Sequence, residues 1–339
     1  MKAAFFYSKE DLRVEEIATP KIGADEVLIR VRACGVCGTD MHIFDGDEGA
    51  APTPAGTVLG HEFAGEVVAI GASVTSVRVG DRVCVDPNKL CNECDYCRGG
   101  VGHFCEHMIG IGTTVNGGFA EYCAVPQSQV YKFGEGVAFT QAAMTEPVAC
   151  CLHGIDMCDI EPGATVAVIG GGMIGLLMLQ LAKLKGASTL IMIEPIAEKR
   201  ALAQKLGADL VIDPFTENAE EAIAAAGIKR IHTVIECVGR TATVAQAIAL
   251  AGKKSTVMLF GLTRPRDEVA IKPFELFKKE ITLRASFINP YTQQRALSLI
   301  ESGKIDVSSM IYKTASVDEL PQILADKKER ALGKYVITF

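Results

Sequence analysis

Four cysteines lie close together in the stretch CNECDYCRGGVGHFC. Cys91, Cys94, Cys97 and Cys105 follow the spacing C-x2-C-x2-C-x7-C. Four thiolates close a tetrahedron around Zn²⁺ and leave no coordination position for a substrate. The spacing therefore predicts a structural zinc site that fixes a loop with little apolar material of its own. The alternative is a set of unligated surface thiols, which have no packing role in a polar, glycine-containing loop.

A second, more dispersed set offers mixed sulfur, nitrogen and oxygen donors. Its members are Cys37, Thr39, Asp40 and His42 in CGVCGTDMH, His61 and Glu62 in GHEFAGEV, and Glu146 in TEPVACCLHG. A catalytic zinc takes such a mixed set and keeps one position open for water or substrate. Spacing alone leaves an alternative open, in which His61 is a satisfied core histidine and Cys37 a small buried apolar residue.

A glycine-rich turn lies in the second half of the chain. Residues 170–175, GGGMIG, fit G-x-G-x-x-G, follow the apolar run TVAVIG and open a helix. In a dinucleotide-binding turn the first glycine allows the tight turn, the second lets a pyrophosphate approach the helix N-terminus, and the third allows close helix–strand packing. The alternative is an ordinary strand–helix turn.

The same fingerprint requires an acid at the end of the next strand. Glu194 lies there, 19 residues after Gly175. A carboxylate at that place binds the adenosine ribose and repels a 2′-phosphate, so NAD is favoured over NADP. Lys199 and Arg200 lie nearby and act in the opposite direction, since a basic side chain favours the phosphate.

The elements that must position these residues change character along the chain. EVLIRVRA, EFAGEVVAIG, DRVCV and FAEYCAV predict an antiparallel β domain without a long helix before about residue 140. Strands then alternate with helices through TVAVIG, TLIMIE, LVID, HTVIECVG, STVMLFG and ITLRASF, which predicts a doubly wound parallel sheet. After about residue 288, the helix QQRALSLIESGK and the strand GKYVITF predict a return to the first domain.

The composition narrows the function classes. The chain has 339 residues, which favours two domains, and a net charge of -7 without a basic stripe, which argues against nucleic-acid binding. The uncharged stretch TVAVIGGGMIGLLMLQLA is not expected to span a membrane, because three glycines split it into strand and helix. Twelve cysteines without a secretion signal are typical of a reducing compartment, so we expect a cytoplasmic protein.

Several motifs occur together in a specific order. They are GVCGTDMH, GHEFAGEVVAIG, VGDRV, the four-cysteine lobe, GGFAEY, EPVACCLHG and GGGMIG. Over nearly its whole length the sequence resembles the zinc-dependent medium-chain alcohol and polyol dehydrogenases, in particular the sorbitol and threonine dehydrogenase branch. The resemblance implies an α/β protein with a GroES-like catalytic domain, residues 1–147 completed by 288–339, and a Rossmann NAD-binding domain, residues 148–287. It also implies two zinc ions per chain, NAD, and a homodimer or homotetramer.

The resemblance also implies roles for individual residues. Cys37, His61 and Glu62 would bind the catalytic zinc, and Thr39 and His42 match the family's hydroxyl relay. Glu146 stands where the alcohol branch has a cysteine and would hold a zinc-bound water or exchange as a ligand. The implied cofactor-binding residues are Gly170, Gly172, Met173, Ile174, Gly175, Glu194, Lys199, Val238 and Leu262.

The substrate is less well defined by the resemblance. Animal sorbitol dehydrogenases have a tyrosine near Phe44 and an arginine near Ile288, and both positions are apolar here, which puts sorbitol itself in doubt. SFINPY is similar to bacterial polyol and polyol-phosphate dehydrogenases, which makes Asn289, with Phe44, a candidate substrate contact.

The expected function is the NAD-dependent oxidation of a secondary alcohol of a polyol or sugar alcohol, phosphorylated or not, to a ketone. Zinc would act as a Lewis acid on the substrate hydroxyl, and the nicotinamide would accept the hydride. Alternatives are a threonine-type amino-alcohol or simple secondary-alcohol dehydrogenase and, more remotely, a non-enzymatic dinucleotide-binding protein. The presence of Cys37, His61 and the four-cysteine cluster argues against the last.

Overall fold

A computed structural model describes residues 1–47 and 52–339 of the chain. The chain divides into two compact units. Unit 1 comprises Met1–Ala149 and Asn289–Phe339, and unit 2 comprises Cys150–Ile288. Within the described ranges no helix has the length and apolar character needed to cross a membrane.

The strands form where the sequence carries β-branched and aromatic residues between glycine-containing turns. In chain order they are β1 (Lys2–Ser8), β2 (Asp11–Glu16), β3 (Glu26–Gly35), β4 (Thr57–Val58), β5 (Glu62–Ile70), β6 (Arg82–Val85), β7 (Asn88–Lys89), β8 (Ile109–Gly110), β9 (Tyr122–Pro126), β10 (Val130–Lys132), β11 (Thr165–Ile169), β12 (Thr189–Ile193), β13 (Leu210–Ile212), β14 (Thr233–Glu236), β15 (Thr256–Leu259), β16 (Thr282–Ala285), β17 (Ile311–Ala315) and β18 (Lys334–Thr338).

The α-helices are concentrated after residue 138. In chain order they are α1 (Gly38–Asp45), α2 (Asp95–Arg98), α3 (Phe139–Ala142), α4 (Thr145–Asp156), α5 (Met173–Leu184), α6 (Ala197–Leu206), α7 (Ala219–Ala225), α8 (Thr241–Leu250), α9 (Pro273–Lys279), α10 (Gln293–Glu301) and α11 (Leu320–Ala325).

Unit 1 is organised around a seven-stranded sheet. Its strand order is β10-β6-β5-β3-β18-β17, and β9 also pairs with β3. Strand β18, near the C-terminus, pairs antiparallel with β3, with Val336 opposite Gly35. Alternate residues of β3 are fully buried, which is the period-two pattern of a strand with one face on a core.

The register of two of these strands brings distant sequence motifs together. Strands β3 and β5 are antiparallel, with Cys34 opposite Phe63 and Gly35 opposite Glu62. The end of β3 therefore lies beside the start of β5. Because Cys37 follows β3 by two residues, it is carried to the same edge as Glu62.

Unit 2 confirms the predicted doubly wound sheet. Its six strands are all parallel and run in the order β13-β12-β11-β14-β15-β16. All five residues of β11 are buried, as expected for a parallel strand covered on both faces. The chain order reverses direction between β11 and β14, and ligands of such sheets bind beyond the carboxyl ends of the strands at that point.

The short helix α1 was not predicted from the sequence. The helix is determined by the capping interactions at its two ends rather than by a helical spacing of apolar residues. Asp40 accepts a hydrogen bond from the Cys37 backbone N–H at 2.8 Å, which satisfies a donor at the helix start. Gly46 ends the helix in the left-handed conformation, with φ of 81°. The helix thereby fixes the position of Cys37 at its N-terminus.

Candidate metal and cofactor sites

Three of the predicted zinc ligands lie together in unit 1. The donor atoms of Cys37, His61 and Glu62 are within 4.8 Å of one another. His61 is 6% exposed and Glu62 is 1% exposed, so both donors are withdrawn from bulk water. A thiolate, an imidazole and a carboxylate form the mixed donor set of a zinc site with an open position.

A fourth residue, Asp40, orients this group. It is fully buried, and its Oδ1 lies 3.5 Å from Nδ1 of His61. A carboxylate facing one ring nitrogen leaves Nε2 of His61 for a metal, which is the usual arrangement around zinc-bound histidines. Burial lowers the pKa of His61, but the charges of Asp40 and Cys37 outweigh burial and raise that pKa well above its usual value. The negative surroundings that favour a proton on His61 also favour a divalent cation, so the residues fit a zinc ion.

A residue that the sequence reasoning missed completes the site. Lys334, at the start of β18, donates a hydrogen bond from Nζ to Oε2 of Glu62. The side chains are 6% and 1% exposed, so this is a buried ion pair. Burial lowers the pKa of Lys334, but Glu62 and Cys37 outweigh burial and raise that pKa above its ordinary value. The one sequence signal was a lysine opening an otherwise apolar terminal strand, KYVIT.

The other predicted catalytic residues are not members of this donor group. The Thr39 Oγ1, in the first turn of α1, lies 3.8 Å from the Cys37 sulfur. His42 is on the same helix, 38% exposed, with its Nδ1 3.5 Å from Oδ2 of Asp47. Glu146 is 7% exposed on α4 and lies outside the three-donor group identified in the described residues.

The four-cysteine cluster forms a separate group in unit 1. The donor sulfurs of Cys91, Cys94, Cys97 and Cys105 all lie within 4.8 Å of one another. Backbone N–H groups point at these sulfurs: Cys91 donates to Cys105 at 3.3 Å and Cys94 donates to Cys91 at 3.4 Å. Such donors stabilise thiolate charge, and no carboxylate or imidazole belongs to this group, so it fits a closed zinc site.

The glycine-rich turn of unit 2 has the geometry expected for a pyrophosphate. Gly170 has φ of 99°, a conformation that favours glycine. A Cβ on Gly172, the N-cap of α5, would meet nothing within 4 Å, so the helix N-terminus is open to a ligand. A Cβ on Gly175 would lie 1.7 Å from the Gly170 carbonyl oxygen, which shows how closely helix and strand pack. Met173 and Ile174 form the first turn of α5.

Glu194 connects this turn to the next strand. It is 5% exposed, and its Oε2 accepts a hydrogen bond from the Gly171 N–H at 2.6 Å. Arg200 donates to the Glu194 carbonyl oxygen at 2.7 Å and pairs with Asp213 at 3.1 Å. This arginine is therefore held by an acidic partner, while Lys199 lies on the same helix, α6.

The remaining cofactor predictions lie beyond the carboxyl ends of two other strands. Val238 follows β14 and is 39% exposed, and Leu262 follows β15 and is 61% exposed. Both strands belong to the half of the sheet across the β11–β14 reversal from Glu194. The residues of unit 2 that were predicted to bind the dinucleotide thus lie near the carboxyl ends of the strands of one sheet.

The two predicted substrate contacts are placed differently. Phe44 is 4% exposed and packs in the hydrophobic core of unit 1. Asn289 is 1% exposed, accepts a hydrogen bond from Asn88 at 2.6 Å, and donates to Asp86 and Gln293, each at 3.2 Å. Both side chains are committed to the interior of unit 1, so their geometry supports packing and anchoring roles rather than a substrate contact. The sequence shows residue type but not this buried polar network.

The buried Asp86 carboxyl in this network should make the free energy of unfolding depend on pH. Burial raises its pKa to about 6, against an ordinary 3.8, although hydrogen bonds from Asn88 and Asn289 oppose the rise. Between these values the folded protein holds more protons than the unfolded chain, so stability falls as pH rises. We expect wild type to lose about 1–2 kcal/mol relative to Asp86→Asn between about pH 5 and about pH 7, measured by denaturant unfolding. Parallel pH profiles of the two proteins would contradict this.

Comparisons with known proteins extend over both units. Residues 23–135 match the family model of the alcohol dehydrogenase GroES-like domain, and residues 174–302 match that of the zinc-binding dehydrogenase. The chain is 38% identical to an L-threonine 3-dehydrogenase of Caldanaerobacter subterraneus subsp. tengcongensis, over 98% of this chain and 96% of that protein. It is 33% identical to D-arabinitol dehydrogenase 1 of Uromyces fabae, over 99% and 97%.

The fold is also similar to solved structures. One from Sinorhizobium meliloti 1021, described as a zinc-binding dehydrogenase bound to NADP, matches with a TM-score of 0.95 and 38% identity. The match covers 100% of this chain and 99% of that one. The match therefore extends over the segments of this chain that carry both metal-ligand groups and the glycine-rich turn.

Proposed function

Because this chain belongs to the zinc-dependent medium-chain alcohol and polyol dehydrogenase family, as its motifs predicted, we propose that it oxidises a secondary alcohol of a polyol or sugar alcohol to a ketone. The observation that carries the proposal is the mixed donor group Cys37, His61 and Glu62, distinct from the four-thiolate group. A closed structural site serves stability, whereas a mixed group with an open position serves chemistry.

The residues of unit 1 divide the work of the reaction. When bound, zinc supplies a Lewis acid for the substrate oxygen, and the nicotinamide accepts the hydride. Cys37, His61 and Glu62 would hold the metal, and Asp40, 3.5 Å from Nδ1 of His61, would fix the orientation of the imidazole. Glu146 lies outside the donor group and would act as water holder or exchanging ligand.

The substrate proton has a short route along α1. Thr39 lies beside Cys37, and its hydroxyl would accept the proton from the substrate oxygen while releasing its own proton towards His42. His42 lies three residues further, on the same helix face, and is exposed enough to pass the proton to water. Cys37 is the N-cap of α1, so the metal ligand and the two residues of the proposed proton route belong to one short helix.

NAD is the proposed dinucleotide, although the Sinorhizobium meliloti relative is described with NADP. Glu194 presents a carboxylate at the strand end where an adenosine ribose binds, and a 2′-phosphate there would be repelled. Arg200, the nearby arginine, is paired with Asp213 at 3.1 Å, and this pair offsets the charge that it would offer to a phosphate. We expect a lower KM for NAD than for NADP.

A substrate panel tests the proposal. NADH formation is measured with polyols, polyol phosphates, L-threonine and simple secondary alcohols, and NADPH formation with the same panel. We expect the highest kcat/KM for a polyol or its phosphate, with NAD. L-Threonine is the second candidate substrate, since the 38% identical relative is an L-threonine 3-dehydrogenase. If the zinc-containing protein oxidised none of the secondary alcohols in the panel, the proposal would be rejected.

We also propose that the protein is a homodimer formed through unit 2. Strand β16 is the last strand of its sheet and pairs there with β15. Its Leu283 is 37% exposed, and Phe274 and Phe277 on the preceding helix α9 are 67% and 79% exposed. A two-fold axis would pair β16 antiparallel with its copy, cover these side chains and remove an open sheet edge.

The oligomeric state is measured by light scattering coupled to size-exclusion chromatography. Wild type is expected to have the mass of a dimer or of a tetramer built from dimers. Leu283→Asp should shift the mass towards that of the monomer, whereas Leu184→Asp, at a 46% exposed position on α5, should not. A Leu283→Asp protein with unchanged mass would reject this interface.

A further inference from the structure

Glu236 is a fully buried acid that none of the roles above includes. It ends β14 and is 0% exposed. A buried carboxylate is costly unless hydrogen bonds compensate it. Its Oε1 accepts hydrogen bonds from the N–H groups of Val238, at 2.8 Å, and Gly239, at 3.0 Å. The side chain therefore determines the path of the chain directly after β14.

The same residue also holds the turn that follows the neighbouring strand. The main-chain carbonyl of Glu236 accepts hydrogen bonds from the N–H groups of Phe260 and Gly261, each at 2.9 Å. Residues 237–239 follow β14 and residues 260–262 follow β15. One residue thus joins two turns through both its carboxylate and its carbonyl.

Glycines allow these turns to pack backbone against backbone. Gly239 has φ of 74°, and a Cβ there would lie 2.3 Å from the Leu262 carbonyl oxygen. A Cβ on Gly261 would lie 2.2 Å from the Gly239 nitrogen and 2.7 Å from Oε2 of Glu236. No side chain larger than hydrogen fits at either position without moving the turns. The close contact between the two turns therefore requires glycine at both positions.

The joined turns lie where one half of a dinucleotide is expected. The glycine-rich turn follows β11, and Glu194 follows β12 on one side of it. With the pyrophosphate at the α5 N-terminus and the adenosine ribose at Glu194, the nicotinamide half extends towards the ends of β14 and β15. Val238 and Leu262 expose apolar side chains from these two turns.

We infer that Glu236 is a positioning residue for the nicotinamide half of the cofactor. It fixes the turns that carry Val238 and Leu262 without contacting the cofactor itself. Because the turns are already ordered, binding does not have to order them, and less binding energy is lost. The inference rests on the dinucleotide binding included in the proposed function.

The test compares two ligands on the same variants. Glu236→Gln should weaken NADH binding about tenfold, because a buried charged acceptor is lost, and should change the affinity for ADP-ribose by less than about twofold. Gly261→Ala, which displaces the same turns but keeps the carboxylate, should show the same selective loss. Glu194→Gln, on the adenosine side, should weaken the binding of both NADH and ADP-ribose. Dissociation constants are measured by fluorescence and calorimetry.

The possible outcomes distinguish failure of the inference about Glu236 from failure of the proposed dinucleotide binding. Unchanged NADH affinity in Glu236→Gln would overturn the inference, and so would equal weakening of NADH and ADP-ribose, which indicates a general structural role. If the wild-type protein bound neither NADH nor ADP-ribose, the proposed function would fail, and the inference with it.

Discussion

Replacing Cys37 with serine is expected to abolish alcohol oxidation in a protein that remains folded and retains one zinc per chain. A serine hydroxyl stays protonated at neutral pH and replaces an anionic sulfur that zinc favours. Polarisation by zinc contributes several kcal/mol to such reactions, so kcat/KM should fall by about a thousandfold or more. Metal analysis and NADH formation on the same preparation measure both effects.

Cys97→Ser is the matched control for this prediction. It makes the same chemical change in the four-thiolate group, whose sulfurs lie within 4.8 Å of one another. We expect loss of the other zinc and a lower melting temperature, because folding of this lobe is coupled to the metal. Hydride transfer per folded molecule should remain. If Cys97→Ser were stable yet inactive, the structural and catalytic sites would have to be exchanged.

The sequence was informative where a structural role produces a local pattern. The six strands of unit 2 were predicted because strands and helices alternate there, and the signal is clearest at β11, a short continuous apolar run that is buried throughout. The four-cysteine group was predicted because its members are close in sequence. Cys37, His61 and Glu62 were identified by family motifs, and the β3–β5 register shows physically why they converge.

The sequence was less informative where a role depends on tertiary pairing. Lys334 meets Glu62 only because β18 pairs with β3, and the two residues are far apart in sequence. Asn289 was predicted from a motif to contact substrate, but its amide is bound to Asn88, Asp86 and Gln293. An isolated polar residue has no periodicity, so its partner is defined by the fold rather than by its neighbours in sequence.

The buried pair of Lys334 and Glu62 leads to the second large prediction. Lys334→Met keeps much of the side-chain volume but removes the charge that compensates Glu62. Loss of one partner of a buried ion pair costs about 3–5 kcal/mol, because the other charge is left in a low-dielectric interior. We therefore expect zinc-depleted Lys334→Met to unfold at a clearly lower denaturant concentration than zinc-depleted wild type.

Bound zinc should reduce this difference, since the metal supplies the positive charge that Lys334 no longer provides. The stabilisation gained on adding zinc should therefore be larger for Lys334→Met than for wild type. Lys334→Arg preserves the charge and should behave more like wild type. In Lys334→Met/Glu62→Gln the unpaired charge is gone, so the double variant should recover part of the lost stability.

Lys334 and a bound zinc ion would thus both compensate the negative charge of Cys37, Asp40 and Glu62. The negative charges of Cys37 and Glu62 in the donor group and of the neighbouring Asp40 repel one another, and Lys334 lowers that repulsion before a metal is bound. The same lysine reduces the charge that Glu62 offers to zinc, so it opposes a tight carboxylate ligand. If the effect of Lys334→Met on unfolding were the same with and without zinc, the two cations would not be substituting for each other, and the pair would serve only to join β18 to β5.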